Sequence, residues 1–165
     1  MIDLGKIEII RAQDYDCDIL TEIAFASKRH WNYPNSYYDL WKDELTISMN
    51  YINHNIVYKA QFGDLILGFY SIVENKSDVD SVEIFVKKGF WLEHIFIKPD
   101  YHKIGIGSLM IEHAKQISKN IGISDLLIFV DPYAKGFYDK MGADYLYDSK
   151  SSIPGRLIPV YDLKV

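Results

Sequence analysis

Residues 90–122 read FWLEHIFI (90–97), KPDYHKIGIGS (98–108) and LMIEHAKQISKNIG (109–122). The first piece is dense in aromatic and β-branched residues and predicts a strand. Pro99 has no amide to give a sheet ladder, so the strand stops near Lys98. In the third piece Met110, Ala114, Ile117 and Ile121 recur at three- to four-residue spacing, with His113 on the same side. Glu112, Lys115, Gln116 and Lys119 fall elsewhere, so the helix is amphipathic, and Gly122 ends it. Strand, glycine-bearing loop and helix follow one another directly.

The start of a helix offers amides with no partner inside the helix, and the macrodipole adds partial positive charge there. An anionic phosphate satisfies both. Gly105 and Gly107 remove the β-carbons that would hold a ligand off the backbone, and they permit positive φ. The alternative, an ordinary tight turn between strand and helix, stays open on this pattern alone. Two common phosphate loops do not fit. No G-x-x-x-x-G-K-[ST] string occurs, and the third glycine of G-x-G-x-x-G would fall on Met110.

HKIGIG (102–107) resembles the acyl-CoA loop of the GNAT N-acetyltransferase superfamily, [RQ]-x-x-G-x-[GA], with His102 standing where the family carries Arg or Gln. DPYAKGFY (131–138), followed by Met141-Gly142-Ala143, is similar to the family's second signature, N/D-P-x-A-x-x-F-Y-x-x-x-G. The likeness covers residues 55–165 and is looser over the first 50. It implies an α/β (α+β) GNAT fold: a mixed, mostly antiparallel central sheet with a splayed parallel pair and helices on both faces.

The composition is that of one packed domain, residues 1–165, with 48% apolar and 15% aromatic residues. No apolar run approaches a membrane span, and MIDLGKIEII shows no signal-peptide pattern. The single cysteine, Cys17, cannot form an internal disulfide, which fits a cytoplasmic protein. A formal charge of −5 argues against nucleic acid, which wants basic patches, and mildly favours a cationic acceptor. No metal is called for.

Lys6–Arg11 predicts a first strand. Asp14 or Asp16 then caps a helix reaching about His30, striped by Ile19, Leu20, Ile23 and Ala26. SKRHWNYPNSYYDLWKDEL (27–45) is rich in aromatics, with Pro34 separating that helix from a second over 36–45. Residues 55–62 and 65–74 predict a hairpin turning at Gly63-Asp64. Val82–Val86 is either a short extra strand or an extension of the strand ending at Ile97, within a stretch, 75–89, longer than usual for the family. Leu126–Val130 predicts a strand covered on both faces. Asp131 caps the next helix with Pro132 at its first position, and Phe137, Tyr138 and Met141 face inward. Residues 143–148 and 157–164 predict a last antiparallel pair around the Pro154-Gly155 turn.

The resemblance carries a mechanism. Pantetheine would meet the main chain of Ile95, Phe96 and Ile97, and the pyrophosphate would lie over Lys103, Ile104, Gly105, Ile106, Gly107 and Ser108, with His102 and Lys103 either adding charge or standing as solvated loop residues. The reaction implied is acetyl transfer from acetyl-CoA, leaving CoA, to a primary amine of a small molecule or protein. An alkylammonium cannot attack, and freeing it at neutral pH costs about 4–5 kcal/mol. A general base is the remedy. Glu93 is the candidate, with His94 as second choice on the opposite strand face. Tyr138 matches the tyrosine that protonates the departing thiolate in many members. Asp131 stands where many carry a pantetheine-contacting Asn, and a pure capping role is equally open. Residues 31–41 would wall the acceptor site. A non-catalytic acyl-CoA-binding or sensing module remains the alternative, and so does pairing as a homodimer, common in the family.

Overall fold

The computed structural model describes residues 1–81 and 84–165. The expectation for Val82 and Glu83 therefore lies outside the described residues. After a 3-10 turn at Leu4–Lys6, the chain runs β1 (Glu8–Arg11), a second 3-10 turn (Asp14–Asp16), α1 (Cys17–Arg29), α2 (Asn35–Leu45) and α3 (Met49–His54). It continues through β2 (Ile56–Phe62), β3 (Leu65–Asn75), β4 (Val79–Asp80), β5 (Phe85–Val86) and β6 (Gly89–Ile97). Then follow α4 (Ile106–Asn120), β7 (Asp125–Phe129), α5 (Lys135–Lys140), β8 (Asp144–Lys150) and β9 (Leu157–Lys164).

Among the described residues, seven strands form one sheet in the order β1-β2-β3-β6-β7-β9-β8. Pairs β1/β2, β2/β3, β7/β9 and β8/β9 are antiparallel, and β6 meets β7 in parallel with Trp91 opposite Leu127. The expected α/β class with a mostly antiparallel mixed sheet is what the chain adopts. The chain also divides into two compact units, Met1–Ile72 with His94–Ala114, and Val73–Glu93 with Lys115–Val165.

The first unit packs the fully buried Leu20, Ile23 and Ala24 of α1 with Leu45 and Ile52 from the helices that follow, and with Val57, Leu67 and Phe69 of the sheet. Asp16 does not cap α1 with its side chain. Its carboxylate accepts from the Gln13 amide at 2.8 Å and pairs with Lys59 Nζ at 2.8 and 2.9 Å, both partners buried. A buried cation needs that anion more than the helix needs the cap. α3 was not foreseen; Ser48 starts it by accepting from the Tyr51 amide. In β3, Gly68 lets β6 come close: a β-carbon there would lie 2.5 Å from the Phe96 carbonyl oxygen.

The second unit is built on Leu126, Ile128, Val160 and Leu163, with Trp91 stacked on Phe129 at 4.5 Å between centroids. β4 and β5 form a small hairpin, Val79 opposite Val86. Lys150 Nζ donates to the Ser81 carbonyl at 3.0 Å, and Ser149 Oγ to that of Phe85 at 3.4 Å, which ties this hairpin to β8. α4 closes with the Ile123 amide on the Ser118 carbonyl and the Gly122 amide on that of Lys119, a Schellman motif with Gly122 at φ +83. Ile121 therefore falls beyond the helix and is exposed, and Ile123 is buried in its place.

Candidate active site

The loop after β6 belongs wholly to the first unit. Pro99–Tyr101 makes a 3-10 turn, and the backbone then reverses twice into the left-handed half of φ space, at Lys103 (+62) and Gly105 (+106). The Gly105 carbonyl accepts the first bond of α4, from the Leu109 amide at 3.2 Å. The amides of Ile106, Gly107 and Ser108 thus occupy the first turn, whose donors a helix cannot satisfy itself. Positive φ is used at Gly105 only. Gly107 lies inside the helix and is buried, so its value is the missing side chain, not conformational freedom. A β-carbon on Gly105 would come within 3.1 Å of Leu4, which brings the N-terminal turn against the loop, a neighbour with no signal in the sequence.

His102 faces inward to the protein. Its Nε2 lies 2.9 Å from the Ile97 carbonyl, to which an Nε2–H donates. Its ring meets His30 edge-on at 4.8 Å and stacks with Trp31 at 6.4 Å. Desolvation, with smaller contributions from His30 and Lys103, lowers its pKa below the ordinary 6.5, against a weaker upward pull from the Ile97 carbonyl. Burial therefore favours the neutral imidazole over the charged one, which weakens the reading of His102 as added charge. What it does is latch the loop to the end of β6. Ile95, Phe96 and Ile97 are half-buried, and Lys98 continues the strand by donating to the Leu67 carbonyl at 2.8 Å.

The aromatic segment gathers in the same unit. Tyr33 stacks with Tyr37 at 5.8 Å, and Tyr33, Tyr37 and Tyr38 all present edges to Trp41 at 5.2–5.8 Å. Lys28 Nζ sits 4.6 Å from the Trp41 centroid. Trp41 is buried and the three tyrosines are not fully so, with Tyr33, Tyr37 and Tyr38 half-buried. One ring is core; the others are surface-facing.

Alternation along β6 separates the two candidate bases as expected. His94 is buried, its ring beside Phe96 (5.3 Å), Tyr51 (5.9 Å) and Phe69 (6.3 Å). Tyr51 from α3 and Ser71 from β3 share a hydroxyl–hydroxyl bond of 2.8 Å next to it. Sequence reasoning missed this cluster because α3 itself was not legible. Glu93 is exposed.

In the second unit Asp131 accepts from the Tyr133 amide at 3.0 Å and starts a 3-10 turn, Pro132–Ala134, that leads into α5. Tyr138 is 5% exposed, while Phe137 and Met141 are only half-buried. Burial and then the Asp131 charge push the Tyr138 hydroxyl well above its ordinary pKa, so it holds its proton throughout the physiological range.

A family model described as an acetyltransferase (GNAT) domain matches residues 53–142, more than half of the chain. No curated protein sequence matches it. The fold is similar to that of a protein from Rhodopseudomonas palustris described as a GCN5-related N-acetyltransferase, aminotransferase class II, with TM-score 0.75, 15% identity, and 100% of this chain covering 99% of that one. The PaiA N-acetyltransferase from Thermoplasma acidophilum, solved in complex with coenzyme A, aligns with TM-score 0.72 and 20% identity over 96% of this chain and 99% of its own. The ribosomal-protein-S18-alanine N-acetyltransferase from Escherichia coli gives TM-score 0.65 and 15% identity, over 96% and 94%. With strand, glycine loop, helix and the Asp131–Tyr138 segment all inside or beside the matched span, the chain belongs to the GNAT acetyltransferase family.

Proposed function

We propose that this chain, acting as one domain, moves the acetyl group of acetyl-CoA to a primary amine. The observation that carries the reading is the β6–α4 loop, where two left-handed residues, Lys103 and Gly105, lead into a helix start whose first amides have no partner within the helix, beside a glycine with no side chain. That geometry fits a pyrophosphate, which supplies the two negative charges such a helix end attracts. Residues Lys103–Ser108 would hold it, and the main chain of Ile95–Ile97 would hold the pantetheine arm. Bound acetyl-CoA supplies an activated thioester.

Glu93 serves as general base, relayed by water, because it stands exposed where His94 is enclosed. Tyr138 returns a proton to the departing thiolate. Its proton is secure, but burial makes it a weaker acid than a free tyrosine, so donation runs uphill against a thiol of pKa about 8–9. Asp131 caps its 3-10 turn, and its charge adds to burial in raising the Tyr138 pKa. Tyr33, Tyr37 and Trp31 supply the acceptor wall. The half-buried single cysteine fits a reducing cytoplasm as the place of action.

The test is thiol release from acetyl-CoA by the full chain across polyamines, aminoglycosides, amino acids and peptides with free N-termini or lysines. Release that depends on one of these classes supports the enzyme. CoA binding by calorimetry with no release from any of them identifies a binding or sensing module instead. Failure to bind CoA at all overturns both.

A further inference from the structure

We infer that the second unit carries a binding site for a small zwitterion: an amino acid, or a molecule like one, with an apolar side chain. The hairpin insertion and the strands beside it enclose a cavity of about 450 Å³, within the usual range for small-molecule sites. None of the residues assigned to acetyl transfer lines it. Its walls carry both signs of charge: Lys87 and Lys88 from the insertion, Asp125 from the start of β7, and Asp162 with Lys164 from β9. Phe90, Leu127 and Leu146 supply apolar surface between them.

Two backbone groups of the lysine turn are already committed. The Lys87 carbonyl accepts from Trp91 Nε1 at 2.8 Å, and the Lys88 amide donates to Asp78 Oδ1 at 2.6 Å. Both lysines line the cavity, and each carries an ammonium group that a carboxylate can meet. Asp162 is 8% exposed, and its Oδ2 meets Lys164 Nζ at 2.6 Å. Its Oδ1 is shut away from water and has no hydrogen-bond partner among the described residues. Such an oxygen is rare in folded proteins and acts as an acceptor awaiting a donor. Lys164, whose side chain is mostly exposed, can swing aside to admit one. A lone anion would face Asp125 and Asp162, and a lone cation would face the lysines. A ligand with an ammonium for Asp162 and a carboxylate for Lys87 and Lys88 satisfies both, its side chain lying on Leu127 and Phe90.

Three probes with a common branched skeleton separate these cases: L-leucine, 4-methylpentanoate (carboxylate only) and 3-methylbutylamine (ammonium only). Each is titrated into the full ¹⁵N-labelled chain and read at the Gly89, Gly122 and Ser124 amides. L-leucine should give saturable shifts, and each one-charge analogue should bind at least about tenfold more weakly. Asp162→Asn should weaken L-leucine by a similar factor. Leu146→Trp, at a partly exposed position on the cavity wall, should block it, and this variant carries the test if Asp162→Asn does not fold. No saturable shift with L-leucine, equal binding of a one-charge analogue, or indifference to Leu146→Trp overturns the proposal.

Discussion

In the proposed mechanism a single buried hydroxyl, that of Tyr138, protonates the departing thiolate. Tyr138→Phe keeps the ring and its packing, so CoA affinity should stay within about threefold while kcat falls at least about tenfold. An unchanged kcat with CoA binding intact would return Tyr138 to the core. Asp131→Asn keeps an effective cap and removes the charge that raises Tyr138, so the tyrosine pKa, followed by ¹³C NMR, should fall. Its kcat should hold or rise; a tenfold loss would make Asp131 a ligand contact. Two histidines give a second residue-scale effect. Desolvation lowers the pKa of His102 and of His113, whose Nδ1 lies 2.8 Å from the Tyr70 hydroxyl. With that imidazole neutral, the Tyr70 O–H donates to it. The unfolded chain then binds more protons than the folded one below about pH 6.5, so stability rises with pH from about 5.5 to 7.5. Urea denaturation at both ends should show this, with a flatter profile in the His102→Asn, His113→Asn double variant. An equal slope in that variant would assign the effect to other groups.

At the scale of elements, the proposed donor site on the β6–α4 loop and the proposed acceptor wall at the α1–α2 junction can be tested apart. Gly107 is helical, so Gly107→Val costs no backbone strain, whereas the same change at Gly105 would force a branched residue to φ +106. Gly107→Val should therefore fold and weaken CoA by at least about tenfold, because a branched side chain crowds the first turn of α4. Calorimetry showing unchanged affinity in a folded variant would remove this loop from the cofactor site. At the α1–α2 junction, Tyr33→Ala should raise the acceptor KM and leave that of acetyl-CoA nearly alone. Equal effects on both, or lost stability, would make the ring structural. Elements with a strong local signature were legible in sequence: β6 and α2 lie within one residue of expectation, while α4 begins three residues before the expected Leu109 and ends at Asn120. α3 was not, because MNYINH is too short to show helical periodicity and depends on Ser48 for its start.

Over the whole molecule, order along the chain was easier to read than partnership across it. The two family signatures and the hairpin turn at Gly63 announce a mixed sheet with one parallel pair. The Asp16–Lys59 pair, the latch from His102 to Ile97 and the approach of Leu4 to Gly105 all join residues distant in sequence. No local pattern encodes them, so a capping role for Asp16 and a charged role for His102 were the natural first readings. Gly68 shows what such distance means for inheritance. Any side chain there must displace the Phe96 carbonyl, and with it the strand end that the acetyl donor is expected to use. A variant at Gly68 would score as an activity defect in a protein whose reactive groups are all intact. A genetic screen for lost acetylation would then point to a residue that never meets either substrate, and repair would come from a second change in β6, not from the site itself.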